Sequence, residues 1–166
     1  MAVYQGNRII YLVRLLSKAT TEAASSIAFQ TDGSEKVSND VDTTKTKSGS
    51  VTTSSGAEVE LDMTFVASDK NDTICADIKD ATRKGETVEC WKVNLDKAGT
   101  ASGTYKGTYY QGKFSDYEES YGAEDHVEIQ TTYSADGTGE DGDVTVTEEQ
   151  LRLASYVFTD TIKGTA

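Results

Sequence analysis

The sequence predicts a mainly β domain of antiparallel strands with one flanking α-helix and a short C-terminal helix. Three observations carry that prediction. Several segments alternate apolar and polar residues with the period of a half-buried strand, proline is absent, and only the stretch from Ser68 to Gly85 has sustained helical spacing. The clearest strand pair runs from Tyr105 to Tyr117 and from Asp125 to Ser134, joined across Ser120-Tyr121-Gly122. In its second arm Val127, Ile129 and Tyr133 fall on one face, and Glu128, Gln130 and Thr132 on the other. A hairpin does not stand alone in water, so the remaining segments are expected to supply a second layer.

The length of 166 residues fits one domain spanning 1–166. Sixteen basic and 28 acidic residues give a net charge of −12, which argues against nonspecific affinity for nucleic acid or an anionic membrane. Mean hydropathy is −0.51, and the apolar residues are patterned rather than scattered, which separates the chain from disordered sequences. The opening MAVYQGNRIIYLVRLL does not read as an export signal, because Arg8 and Arg14 bracket its apolar run. Cys75 and Cys90 lack metal-ligand or redox spacing and read as reduced, buried side chains.

Arg8 to Leu16 is almost continuously apolar, as suits a strand buried on both faces. Ser25 to Thr31 reads as a second, short strand, with Ile27 and Phe29 alternating before Gly33. From Ser38 to Gly56 the composition turns to serine, threonine and small residues, with Val41 and Val51 the only large apolar side chains. Two readings stay open for this extended polar arm: a flexible surface loop, or a segment that orders against a neighbouring molecule, its threonines being compatible with a β-ribbon. Ala57 to Val66 alternates cleanly, pointing Val59, Leu61, Met63 and Phe65 one way and Glu58, Glu60, Asp62 and Thr64 the other. A one-residue slip there would bury three carboxylates, so its register is expected to be tightly set.

Ser68 to Gly85 reads as a helix capped by Asp69 or Asp72, with Ile74, Ile78 and Ala81 as its apolar stripe and Gly85 as its stop. Glu86 to Leu95 is a further strand, and Lys97 to Gly103 a turn into the central hairpin. Beyond it come an acidic glycine loop from Asp136 to Asp143 and a short strand, Val144 to Thr147. Thr147-Glu148-Glu149-Gln150 has capping-box spacing and opens a helix to about Tyr156, before a C-terminal tail at 157–166.

Little in the chain argues for chemistry. Gly137 to Gly142 matches GxGxxG literally, but three carboxylates inside or beside it would repel phosphate. The same loop lacks the ligand ladder of a calcium site, and His126 is a lone histidine without a second ligand. Glu118-Glu119 and Glu148-Glu149 are sequence neighbours, which a strand would direct to opposite faces, and no nucleophile elbow occurs. No catalytic residue, cofactor site or metal site is expected.

The order and spacing of GNRIIYLVRLL, IAFQTDGS, TTKTKSGSV, GETVECWKVN, the stretch from Tyr105 to Gly139, and TEEQLRLASYVFTDT resemble the tail tube proteins of long-tailed phages infecting Gram-positive bacteria. That resemblance covers nearly the whole chain. It implies a β-sandwich with a flanking helix, made in the host cytoplasm and built into the virion tail as stacked hexameric rings. It further implies a homo-oligomer that surrounds a tape-measure protein, meets tail terminator and baseplate proteins at its ends, conducts DNA only as a transiting polymer, and touches no membrane. Six copies would carry six times −12, or −72 charges, a self-repulsion that the subunit contacts must offset. Two expectations follow. The arm, at Thr44, Lys45, Thr46, Lys47, Ser48, Gly49 and Val51, joins subunits, and one acidic strand face, either Glu58, Glu60 and Asp62 or the stretch from Glu118 to Glu128, lines the bore. The alternative is a carbohydrate-binding β-sandwich module, which requires an exposed aromatic platform. An enzyme ranks below both.

Overall fold

Alternation in this chain resolves into seven strands and two helices in the computed structural model, which describes residues 3–154. The strands are β1 (Ile9–Leu15), β2 (Ser25–Ser26), β3 (Gln30–Thr46), β4 (Gly49–Val66), β5 (Val88–Ala98), β6 (Thr104–Ser120) and β7 (Glu128–Thr145); the helices are α1 (Asp72–Lys84) and α2 (Glu148–Ala154). All strands belong to one antiparallel sheet in the order β2-β1-β5-β6-β7-β4-β3.

That sheet is folded on itself. Tyr11 on β1 donates its hydroxyl to the Ser34 carbonyl on β3 at 3.2 Å, and Lys92 on β5 meets Glu35 on β3 at 2.7 Å, although these strands are far apart in sheet order. The two layers of the expected sandwich are therefore halves of one continuous sheet. Its inner face holds Tyr11, Val13, Leu61, Phe65, Cys90, Phe114, Ile129 and Tyr133, and α1 adds Ile74, Ile78 and Ala81. Val59, Leu61, Met63 and Phe65 are all buried, contributing about 6 to 12 kcal/mol gross before chain entropy is subtracted. The buried Tyr133 hydroxyl is satisfied by the Val88 carbonyl at 2.6 Å.

Over β1 and β5 the outer face is covered too. Ile10, Leu12, Val93 and Leu95 pack with Val146 and with Leu151 of α2, so β1 is buried on both sides as its composition requires. The capping box forms: the Gln150 amide donates to Thr147 Oγ1 at 3.2 Å, and the Thr147 amide to Gln150 Oε1 at 2.9 Å. Gln150 also holds Ala24 and Ser26, which ties α2 to β2.

Several expectations change. The residue before α1 is Asn71, not Asp69 or Asp72, and its buried side chain bridges chain segments instead of capping: Oδ1 accepts from the Ser68 amide, while Nδ2 donates to the Ala28 and Val66 carbonyls. Gly85 stops the helix in the left-handed region, as read. The strand expected over Ser25 to Thr31 is only β2, because Phe29 turns the chain with φ +57° into β3. The acidic glycine loop is in fact the far half of β7. Gly137-Thr138-Gly139 bulges opposite Tyr110, and a Cβ on Gly139 would lie 2.5 Å from that ring, so the close approach requires glycine. Residues 155–166, including the end of the expected helix and the tail, lie outside the described residues.

Candidate assembly surfaces

The outer face of the sheet is bare where α2 does not reach it, over β3, β4, β7 and β6. Register places its polar side chains in rows: Ser34, Asp62, Thr132 and Asp116 in one, and Lys36, Glu60, Ser134 and Lys113 in the next. A third row aligns Asp32, Thr64, Gln130 and Glu118, and a fourth Val66, Glu128 and Ser120. Glu118 and Glu128, the two ends of the second acidic stretch, thus share one surface with Glu60 and Asp62 of the first, while Glu119 pairs with Ile129 on the other face and Glu124 and Asp125 lie in the β6–β7 turn. Glu58, Glu60, Asp62 and Glu118 are exposed, and Glu128 is half-buried.

Sequence reasoning missed Asp32, Asp116 and Asp136, which the ladder adds to the same face. Asp116 was hidden by a bulge between Phe114 and Asp116, which breaks the alternation that would have revealed it. Eight carboxylates and two lysines, Lys36 and Lys113, therefore share this face. Two of these carboxylates are held by neighbours: Thr132 Oγ1 donates to Asp62 across the ladder at 2.9 Å, and Gln130 Nε2 donates to Glu128 along β7 at 3.2 Å.

The polar arm is a two-stranded ribbon, formed by β3 and β4 beyond the end of the β4–β7 ladder at Val59–Ala135. It pairs from Val41–Ser54 to Thr46–Gly49 and is exposed on both faces. Its expected contact residues, Thr44, Lys45, Thr46, Lys47, Ser48, Gly49 and Val51, all sit at the tip. The tip turn is closed by Thr46, whose hydroxyl donates to the Gly49 carbonyl at 2.7 Å and accepts from the Ser48 amide at 3.2 Å. At its root, Asp40 opposes Ser55-Gly56 in a bulge, with Gly56 at φ +120°. Val41 and Val51 are 59% and 50% exposed, so the described residues leave them largely uncovered.

His126 is exposed in the β6–β7 turn, and among the described residues no group of three His, Cys, Asp or Glu side chains could hold a metal. Both cysteines are free; burial, reinforced by Asp72, raises the Cys75 thiol to about 11, so it is protonated at neutral pH. Lys106 and Thr100 together hold the Asp143 carboxyl well below its usual range, which pins the turn after β5 to β7. Among the described tyrosines only Tyr4 and Tyr121 are largely exposed, while Tyr11, Tyr110 and Tyr133 are core residues. No helix among the described residues is long and apolar enough to cross a membrane.

The model of the family described as phage tail tube protein matches residues 3–141. By sequence, no curated protein matches the chain. The SPP1 tail tube, determined by solid-state NMR and cryo-EM, superposes with a TM-score of 0.74 at 18% identity, covering 99% of this chain and 95% of that one. The tail of an empty gene transfer agent particle, determined with C6 symmetry, gives 0.63 at 10% identity over 83% of this chain and 98% of the other. The sheath–tube complex of an extracellular contractile injection system gives 0.52 at 14% identity, over 87% and 93%. At these identities the likeness establishes the fold.

Proposed function

The chain belongs to the phage tail tube family, as a structural protein of the virion tail, and from that premise we propose that it forms stacked hexameric rings whose bore is lined by the acidic outer face of β3, β4, β7 and β6. The single observation that carries this reading is that Glu118 and Glu128 lie on one continuous outer face with Glu60 and Asp62. A wall of the same sign as DNA gives phosphate nothing to hold, so the polymer slides through. C6 symmetry in the gene transfer agent tail supports the count of six. On this reading the tube surrounds a tape-measure protein before it conducts DNA, meets terminator and baseplate proteins at its ends, and performs no catalysis.

The ribbon joins subunits in the same scheme. An exposed two-stranded element is marginal by itself, and its free edge and uncovered valines gain partners on contact with a neighbour.

The lining is tested by reversing Glu58, Glu60 and Asp62 to lysine in the phage. Tubes are expected to assemble with normal diameter and to deliver DNA poorly, with duplex DNA retained by the isolated variant tubes. Unchanged infectivity together with no DNA retention would overturn the assignment of this face.

A further inference from the structure

We infer that the ribbon tip of one copy docks on the acidic β6–β7 turn of the next, so that subunits join end to end through a basic-to-acidic contact. The inference rests on the tube reading and adds the surface on which the ribbon lands. The β4–β7 ladder runs from Val59–Ala135 to Val66–Glu128. The ribbon departs beyond Val59, and the β6–β7 turn lies beyond Glu128, so the two features project from opposite ends of one ladder. Copies related by translation along the strands bring tip and turn together, a head-to-tail contact that extends as a stack.

The charges at the two ends are complementary. From Thr43 to Gly56 the only charged residues are Lys45 and Lys47, giving the tip +2. From Glu118 to Asp125 the only charged residues are Glu118, Glu119, Glu124 and Asp125, giving the turn −4. None of these six forms an ion pair within the chain among the described residues. Each end therefore presents charge left unpaired among the described residues and open to a partner of opposite sign.

The turn end also presents aromatic anchors. Tyr121 is 74% exposed within the turn. Phe29 is 50% exposed at the same end, where its carbonyl accepts from the Val66 amide at 3.0 Å. Its φ of +57° is one that bulky side chains avoid, and Asn71 holds the preceding Ala28 carbonyl at 3.0 Å to maintain it. A strained backbone that leaves an aromatic ring half exposed at the same end as the acidic turn, with Lys70 Nζ 5.6 Å over that ring, has the anatomy of a protein contact.

Three variants test the docking: Lys45→Glu with Lys47→Glu; Glu119→Lys with Glu124→Lys and Asp125→Lys; and all five together. The critical concentration for tube formation is read by sedimentation and negative-stain microscopy, with circular dichroism to establish folding. Each one-sided reversal is expected to raise that concentration about tenfold or more, and the combination to return it to within about threefold of the unmodified protein. Should a reversal fail to fold, the glutamine substitutions at the same sites read the same contact, with an increase of about threefold expected. Folded one-sided variants that assemble like the unmodified protein, or a combination no better than either side, would overturn the docking. Failure of the unmodified protein to form tubes at any concentration would instead contradict the tube reading.

Discussion

Strand β4 passes through two regions that share a secondary structure and little else. From Val59 to Phe65 every second side chain is buried against the inner face, while from Gly49 to Gly56 every residue is exposed. The same backbone ladder joins it to β3 throughout. The folded sheet is held by apolar burial, which acts on a lone subunit; the ribbon is held by a turn, threonine pairs and backbone hydrogen bonds, which are marginal in water. The difference teaches that one region is built to fold alone, and that the other, in the proposed assembly, is completed by a second copy.

The comparison breaks most visibly if the core is opened. Phe65→Ala is expected to lower unfolding free energy by about 3 to 5 kcal/mol in urea titration, because its site is fully enclosed. Val51→Ala in the ribbon is expected to shift it by less than about 0.5 kcal/mol. An intermediate effect is expected at the edge of the covered outer face. Thr147→Ala removes the Oγ1 acceptor of the capping box and is expected to cost about 1 kcal/mol, measured by thermal unfolding.

Alkaline pH acts on folding through buried groups of the body. Burial, with Glu35 nearby, raises the Tyr110 phenol to about 12, and burial, with Cys75 nearby, raises Tyr117 likewise to about 12. Between pH 10 and 12 the folded chain keeps protons that the unfolded chain releases. The Cys75 thiol, raised from 9 to about 11, acts with the same sign from a lower pH, so stability is expected to hold below about pH 9 and to fall as pH rises from there to 12, measured by urea titration at each pH. The smallest effect on folding is expected from replacing residues 43–55 with a short glycine turn, which leaves the unfolding transition nearly unchanged. The same deletion is expected to abolish tubes in negative stain.

How much was legible follows the same division. Where burial sets the pattern, at Ile9 to Val13, Val59 to Phe65 and Ile74 to Ala81, the elements and their faces could be read, and local chemistry gave Gly85 and the Thr147–Gln150 box. The ribbon was open to two readings, because threonine and serine carry no apolar period and only the partner strand decides between loop and ladder. The far half of β7 read as a loop since its Gly139 answers to the Tyr110 ring, a contact distant in sequence. The acidic face was visible in pieces; joining Glu58, Glu60 and Asp62 to Glu118 and Glu128 required the order of strands, which alternation does not encode. Phe29 gave no signal, since its turn is set by Asn71.

Amide hydrogen exchange on the free subunit and on assembled tubes tests the central claim most directly. In the free subunit, amides from Val41 to Ser54 are expected to exchange orders of magnitude faster than those of Leu61, Phe65 and Tyr133, and in tubes to become protected while the body is unchanged. A ribbon as protected as the body in the free subunit, or still unprotected in tubes, would contradict it.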